Sequence, residues 1–281
     1  MIQLHRIVVL ALVLAAAPAA YAQRAPDMAT LDRGDGISKI GVDVGYTFLD
    51  FPAYESALRL EVYGQYVTRS GFGLYGALPL SSSFGAASEA EDPEPPDLLP
   101  NNATALGNLE VGALYVSTQS SRFSLVFRGG LALPTATSGR DASATLFAAS
   151  APRVTDVALA SDAWYVRLAV SPLLYVDKIF FRADLGFDIG FDDDDGDQNE
   201  LLRINLGVGI DLGKVAVGAE LVNLGTLDDF GDDERFIHTL ALTLRFMGEE
   251  LQPFLAVGAP LEEGGAAAVD LFLAGGIQFV P

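Results

Sequence analysis

The chain contains no cysteine, so it has neither a disulfide framework nor a thiolate metal site. Histidine is almost as scarce: His5 and His238 are the two in 281 residues, which leaves little material for imidazole catalysis. Basic residues number 17 against 37 acids, for a net charge of −20. Such acidity excludes a nucleic-acid partner, whose phosphates demand a basic face. Past residue 22 no apolar run approaches the roughly 20 residues that a membrane-spanning helix needs. Yet half the residues are hydrophobic and the mean hydropathy is +0.32. Hydropathy without apolar blocks is what a transmembrane β-barrel shows, because its strands carry it as alternation.

The first 22 residues read as a signal peptide. Arg6 supplies the positive start, Ile7 to Ala17 the apolar run, and Ala20-Tyr21-Ala22 the small residues of a cleavage site before Gln23. The apolar run is too short for an anchoring helix. The sequence then predicts a periplasmic segment over 23–37 and a barrel over 38–281.

Within the barrel, stretches of about ten residues alternate apolar with polar or small, then break. Twelve such stretches are expected as strands: 38–49, 57–68, 72–80, 108–116, 123–134, 163–176, 179–191, 202–212, 215–224, 236–246, 252–261 and 269–280. The seventh is typical, with Ile179, Phe181, Leu185, Phe187, Ile189 and Phe191 in one register and Arg182, Asp184 and Asp188 in the other. Pro253 and Pro260 make the eleventh the weakest, since proline cannot donate to a ladder. The fold class is therefore all-β, an antiparallel up-and-down transmembrane barrel of about twelve strands.

The connections alternate in length. Tight ones fall near Ser70-Gly71, 117–122, Asp177-Lys178, Gly213-Lys214 and 247–250. Longer ones fall at 50–56, 81–107, 135–161, 192–200, 225–235 and 262–267. Short turns on the periplasmic side and long loops outside are the outer-membrane arrangement. Outward aromatics gather toward both ends, as in interfacial girdles: Tyr66, Phe72, Tyr115, Phe123, Phe181, Phe246 and Phe279 by the turns, Tyr46, Phe48, Trp164, Phe191 and Phe236 by the loops. Phe127 and Phe187 fall between the two belts. Loop 81–107 mixes Glu89, Glu91, Asp92, Glu94 and Asp97 with four prolines, a composition that favours mobility.

Three stretches carry a resemblance: Gly73 to Leu80 (GLYGALPL), Leu131 to Thr135 (LALPT) and Val217 to Asn223 (VGAELVN). Together they resemble bacterial outer-membrane barrels of the MetA pathway of phenol degradation family. That resemblance implies a channel for hydrophobic or aromatic compounds. The chain is also similar to the barrel half of OmpA-type proteins. Its last strand resembles the terminal assembly signal of outer-membrane proteins, with Leu271, Leu273, Ile277 and Phe279 in one register, but it ends Phe279-Val280-Pro281 instead of on the aromatic.

Little here supports chemistry. His238 is outward on its strand with no serine nearby to serve as its nucleophile, so no enzyme is expected. Asp192 to Asp197 has the look of a calcium loop, but counting back from Gly196 puts Phe191 at the first ligand position. No metal site and no cofactor are expected.

The expected lumen is more informative. Its inward charges are Lys39, Arg59, Arg128, Arg167, Arg182, Arg203 and Arg245 against Asp43, Glu61, Glu110, Asp184, Asp188, Asp211, Glu220 and Asp270, nearly balanced. Many inward positions are glycine or alanine, leaving room for arginines or for a pore. A two-residue turn at Asp177-Lys178 makes paired residue numbers sum to 355, which sets Arg167 opposite Asp188 and predicts a lumenal ion pair. The sequence thus predicts a narrow passive channel for a small solute. The alternative is a closed barrel, structural or surface-interacting, that displays acidic loops. The expected partners are outer-membrane lipid, the barrel-assembly machinery and the solute.

Overall fold

The computed structural model describes residues 26–30, 33, 35–51, 54–85, 102–118, 120–191, 200–227, 236–261 and 269–281. The signal-peptide reading and the Asp192 to Asp197 loop fall outside them. So does the acidic part of loop 81–107.

The strands are β1 (Lys39–Phe51), β2 (Tyr54–Val67), β3 (Phe72–Phe84), β4 (Thr104–Leu106), β5 (Leu109–Thr118), β6 (Phe123–Leu133) and β7 (Trp164–Val176). They continue through β8 (Ile179–Phe191), β9 (Glu200–Asp211), β10 (Val215–Thr226), β11 (Phe236–Phe246), β12 (Leu251–Pro260) and β13 (Val269–Phe279). Consecutive strands pair antiparallel except β4 with β5, and β13 pairs back onto β1 from Ile40↔Phe279 to Leu49↔Val269, closing the sheet. β4 and β5 both lie along β3 and form one strand position, interrupted at Gly107-Asn108 beside Pro79. The barrel therefore has twelve staves.

Alternation sets the two faces. Outward side chains such as Val62, Leu185, Leu206 and Leu242 are exposed, while their sequence neighbours are buried inside. Outward aromatics meet across strands at both ends: Phe72 faces Tyr115 with rings 4.7 Å apart, and Trp164 pairs with Phe191. Pro253 and Pro260 are tolerated because Pro253 lies past the last β11 rung and Pro260 ends its strand. At the Asp177-Lys178 turn, Asp177 takes a left-handed φ of 58°. That turn sets Val176 opposite Ile179 and Arg167 opposite Asp188, the register that numbering alone predicts.

Two expectations are corrected. Residues 135–161 do not form an open loop: α1 (Arg140–Ala148) and a 3-10 helix (Ala151–Leu159) occupy most of it, and the latter is almost wholly buried. The described residues of the segment expected in the periplasm instead lie inside the barrel, where Asp27, Met28, Ala29, Thr30, Arg33 and Asp35 are all buried. The physical reason is shared. A twelve-stave bore is wider than wall side chains fill alone, and both segments bring groups that the wall's charges and glycines can hold.

Candidate functional site: the occupied bore

The bore is built around glycines. An added Cβ at Gly45 would lie 2.5 Å from Cγ of Pro152, on the 3-10 helix, and one at Gly218 would strike the tip of Met28. At Gly41 and Gly112 the space is taken by the rings of Tyr63 and Tyr75, and at Gly258 by that of Phe272. The small inward residues thus leave room for rings and for the two inserted segments, and at Gly186 for the Arg203 guanidinium, the arginine outcome posed by sequence.

On the turn side the wall grips the N-terminal segment through charge. Lys39 Nζ donates to Asp27 at 2.6 Å and to Asp35 at 2.8 Å, and Arg182 contacts Asp27 at 3.4 Å while holding Asp184 at 3.1 Å. Arg245 donates to the Asp27 carbonyl at 2.8 Å and lies over the Phe254 ring. Glu220 accepts from the Thr30 backbone N–H at 2.7 Å, from the Thr30 hydroxyl, and from Thr243. Burial opposes charge on Asp27, but Lys39, Arg245 and Arg182 outweigh it and hold its carboxyl below the ordinary range. Burial prevails at Asp35, whose carboxyl is pushed up against the pull of Lys39.

Toward the loop side a second network centres on Asp156 of the 3-10 helix. Arg153 donates to it at 2.6 Å, Arg167 at 3.3 Å, and Arg59 lies at 3.4 Å. Arg167 also donates to the Thr155 carbonyl at 2.8 Å and meets Glu110 at 3.0 Å and Asp188 at 3.3 Å. Arg203 reaches Asp188 more closely, at 2.7 Å. Arg33 bridges Glu61 and Asp43, the latter at 2.6 Å, with its guanidinium 3.7 Å from the Tyr63 ring centre. Arg59 pairs with Glu61, and Arg128 sits over Tyr75 with Glu110 at 3.9 Å. Although burial opposes its charge, Arg153, Arg167 and Arg59 hold the Asp156 carboxyl well below the ordinary range.

Of the residues expected in the lumen, Asp43, Arg59, Glu61, Glu110, Arg128, Arg167, Arg182, Asp184, Asp188, Arg203, Glu220 and Arg245 all lie in this interior. Asp270 does not. It is exposed at a bulge, where pairing slips between Phe48↔Leu271 and Leu49↔Val269 and the inward period is lost. Asp211 is half-buried beside the turn, accepting from the Gly213 N–H at 2.7 Å. Sequence reasoning missed Asp27, Arg33, Asp35, Arg153 and Asp156. The Arg153 and Asp156 pair, three apart within an otherwise apolar APRVTDVAL stretch, was the one available signal.

Among the described residues, two interior cavities beside Arg153, one under Gly45 and Phe254 and one between Tyr63, Tyr75 and Asp156, measure about 10 Å³ each, room for a single water. On the outer wall His238 Nδ1 bonds to Oδ1 of Asn223, directly across the β10–β11 ladder, and its ring stacks on Phe236. That pair has the form of a base and its orienting group. The outward neighbour two residues on is Leu240, and Leu261 lies on the β12 side, so neither strand position supplies a nucleophile.

The chain is similar to the COG4313 outer membrane channel from Pseudomonas putida F1, at 18% identity and TM-score 0.55, over 89% of this chain and all of the other. It is also similar to the NanC porin (10% identity, TM-score 0.54, 86% and 100% covered) and the KdgM porin (14%, 0.50, 86% and 99%). The fold is that of an outer-membrane β-barrel. At these identities the likeness extends to fold alone. No protein-family model matches the sequence, and no curated protein matches it.

Proposed function

We propose that the chain is an outer-membrane channel, narrow and passive, for a small solute, and that the arrangement described is its closed form. The observation that carries this reading is the charge network between the wall and the two inserted segments. A barrel that needed only to be stable would be served as well by apolar packing, since replacing buried ion pairs with hydrophobic residues is often neutral or stabilising. A wall of arginines and carboxylates has a use if the inserted chain leaves and water enters. Resemblance to porins and to an outer-membrane channel supports the same reading. The hydrophobic or aromatic solute implied by the sequence resemblance belongs to this proposal, with Tyr63 and Tyr75 as interior ring faces.

Planar-bilayer recording tests it. The mature chain should conduct weakly, and a variant lacking residues 26–36 with Arg153→Ala and Asp156→Ala should conduct severalfold more. If that variant folds, as judged by heat-modifiable migration, yet stays silent, the barrel is a closed structural or surface-interaction protein and the channel reading fails. Solute-driven liposome swelling with phenol then tests the solute class.

A further inference from the structure

We propose that the outer wall from β6 to β11 carries a site for one anionic phospholipid of the turn-side leaflet. On β8 the outward row is large (Ile179, Phe181, Leu185, Phe187) except at Ala183. Pro172 of β7 falls opposite Ala183 in the register that pairs Leu173 with Arg182. Ala219 of β10 stands one rung nearer the turns, opposite Val208. Phe123, Leu174, Phe181 and Leu240 rise around these small residues and leave an apolar groove of about 650 Å³. A groove of that kind on a lipid-facing wall fits an acyl chain.

The second observation is charge at the adjoining rim. The residues that precede β6, β8 and β10 are Arg122, Lys178 and Lys214, all exposed. Each ends its ladder in the same way: Arg122, Lys178 and Lys214 carbonyls accept from Tyr175, Asp211 and Met247 N–H groups, each at 2.8 Å. They therefore occupy matching positions on three successive hairpins, two strand spacings or roughly 10 Å apart. Among the described residues no ion pair occupies any of the three side chains. The equivalent positions before β3 and β12 are Gly71 and Glu250, so the basic run coincides with the grooved part of the wall. Three residues of strand, roughly 10 Å, separate Lys178 from Phe181. A phosphate held at the rim would lay its acyl chains over the groove, and the charge of the rim selects an anionic headgroup.

Native mass spectrometry of the full mature chain in detergent tests this with two lipids of identical chains, dioleoyl phosphatidylglycerol and dioleoyl phosphatidylcholine. One phosphatidylglycerol should be retained in preference. Lys178→Ala and Lys214→Ala should each weaken its retention by roughly fivefold and leave phosphatidylcholine unchanged. Ala183→Phe, which fills the groove without touching the rim, should weaken phosphatidylglycerol as well. Heat-modifiable migration confirms that each variant is folded. Equal retention of the two lipids, or retention indifferent to all three substitutions, overturns the proposal. So does a change in oligomeric state on Ala183→Phe with lipid retention intact, which would make this wall a contact between copies of the chain.

Discussion

Asp188 illustrates how a single carboxylate is shared. It accepts from Arg167 at 3.3 Å and from Arg203 at 2.7 Å. The register argument from sequence identifies only the first of these partners. Asp188→Ala should shift selectivity toward anions, because two arginines lose their counter-charge. Removing Arg167 as well should reverse only part of the shift, since Arg203 remains; reversal potentials in a salt gradient read the difference, and full restoration by the double variant would show that Arg203 is not exposed to the bore. Asp156 gives a pH prediction. Its carboxyl is held below the ordinary range, so its contribution to closure is present above the unfolded pKa and lost only as pH falls through the lower folded value. Asp35 runs the other way: its raised pKa favours the protonated form, so its contribution is present below the unfolded pKa and lost as pH rises through the folded one. The Asp156 transition lies below the ordinary carboxylate range, so on its account conductance should stay flat from about pH 8 to about pH 6. A step of conductance within that window would mean another group controls the bore.

The element that matters most is the 3-10 helix Ala151–Leu159. It is held by Pro152 against Gly45, by Asp156 among arginines, and by apolar contacts of Val154, Ala158 and Leu159. Gly45→Val sets a branched side chain against a rigid proline ring and should push the helix out of the bore. Trypsin then reports the change. Arg140 is exposed and should be cut in intact cells, whereas Arg153 is buried and should resist until Gly45 is enlarged. Cleavage at Arg153 in the unmodified chain would show that the helix is not seated. Asp177-Lys178 and Gly213-Lys214, on the turn side, should be spared in intact cells. Element boundaries were largely legible: the 123–134, 179–191 and 236–246 stretches match β6, β8 and β11 to within a residue. The short β4 was not, because Pro79 and Asn108 interrupt the ladder there; the Asn108 side chain instead accepts from Thr135 and Ala136 and donates to Ala158 and Ala163.

At the scale of the whole molecule, closure accounts for the hydropathy. The staves close on themselves where β13 pairs with β1, and apolar side chains face outward. In detergent the purified protein should show β-rich circular dichroism and migrate faster unheated than boiled. A helical spectrum would be incompatible with this fold. Asp156→Ala removes one partner from a buried network and should lower stability by about 3 kcal/mol, seen as a lower temperature for the gel shift. The double change with Arg153→Ala should recover part of it.

The sequence by itself determined the barrel, its stave number and the register across Asp177-Lys178. All of these follow from local rules: side chains alternate with period two, and a two-residue turn fixes which residues face each other. What fills the bore was decided only by the tertiary structure. Thr30 meets Glu220 and Arg59 meets Asp156 because closure brings distant segments to one axis. A short acidic or arginine-bearing stretch reads as a solvated loop in sequence, since polarity marks contact with polar surroundings and does not distinguish water from a charged interior.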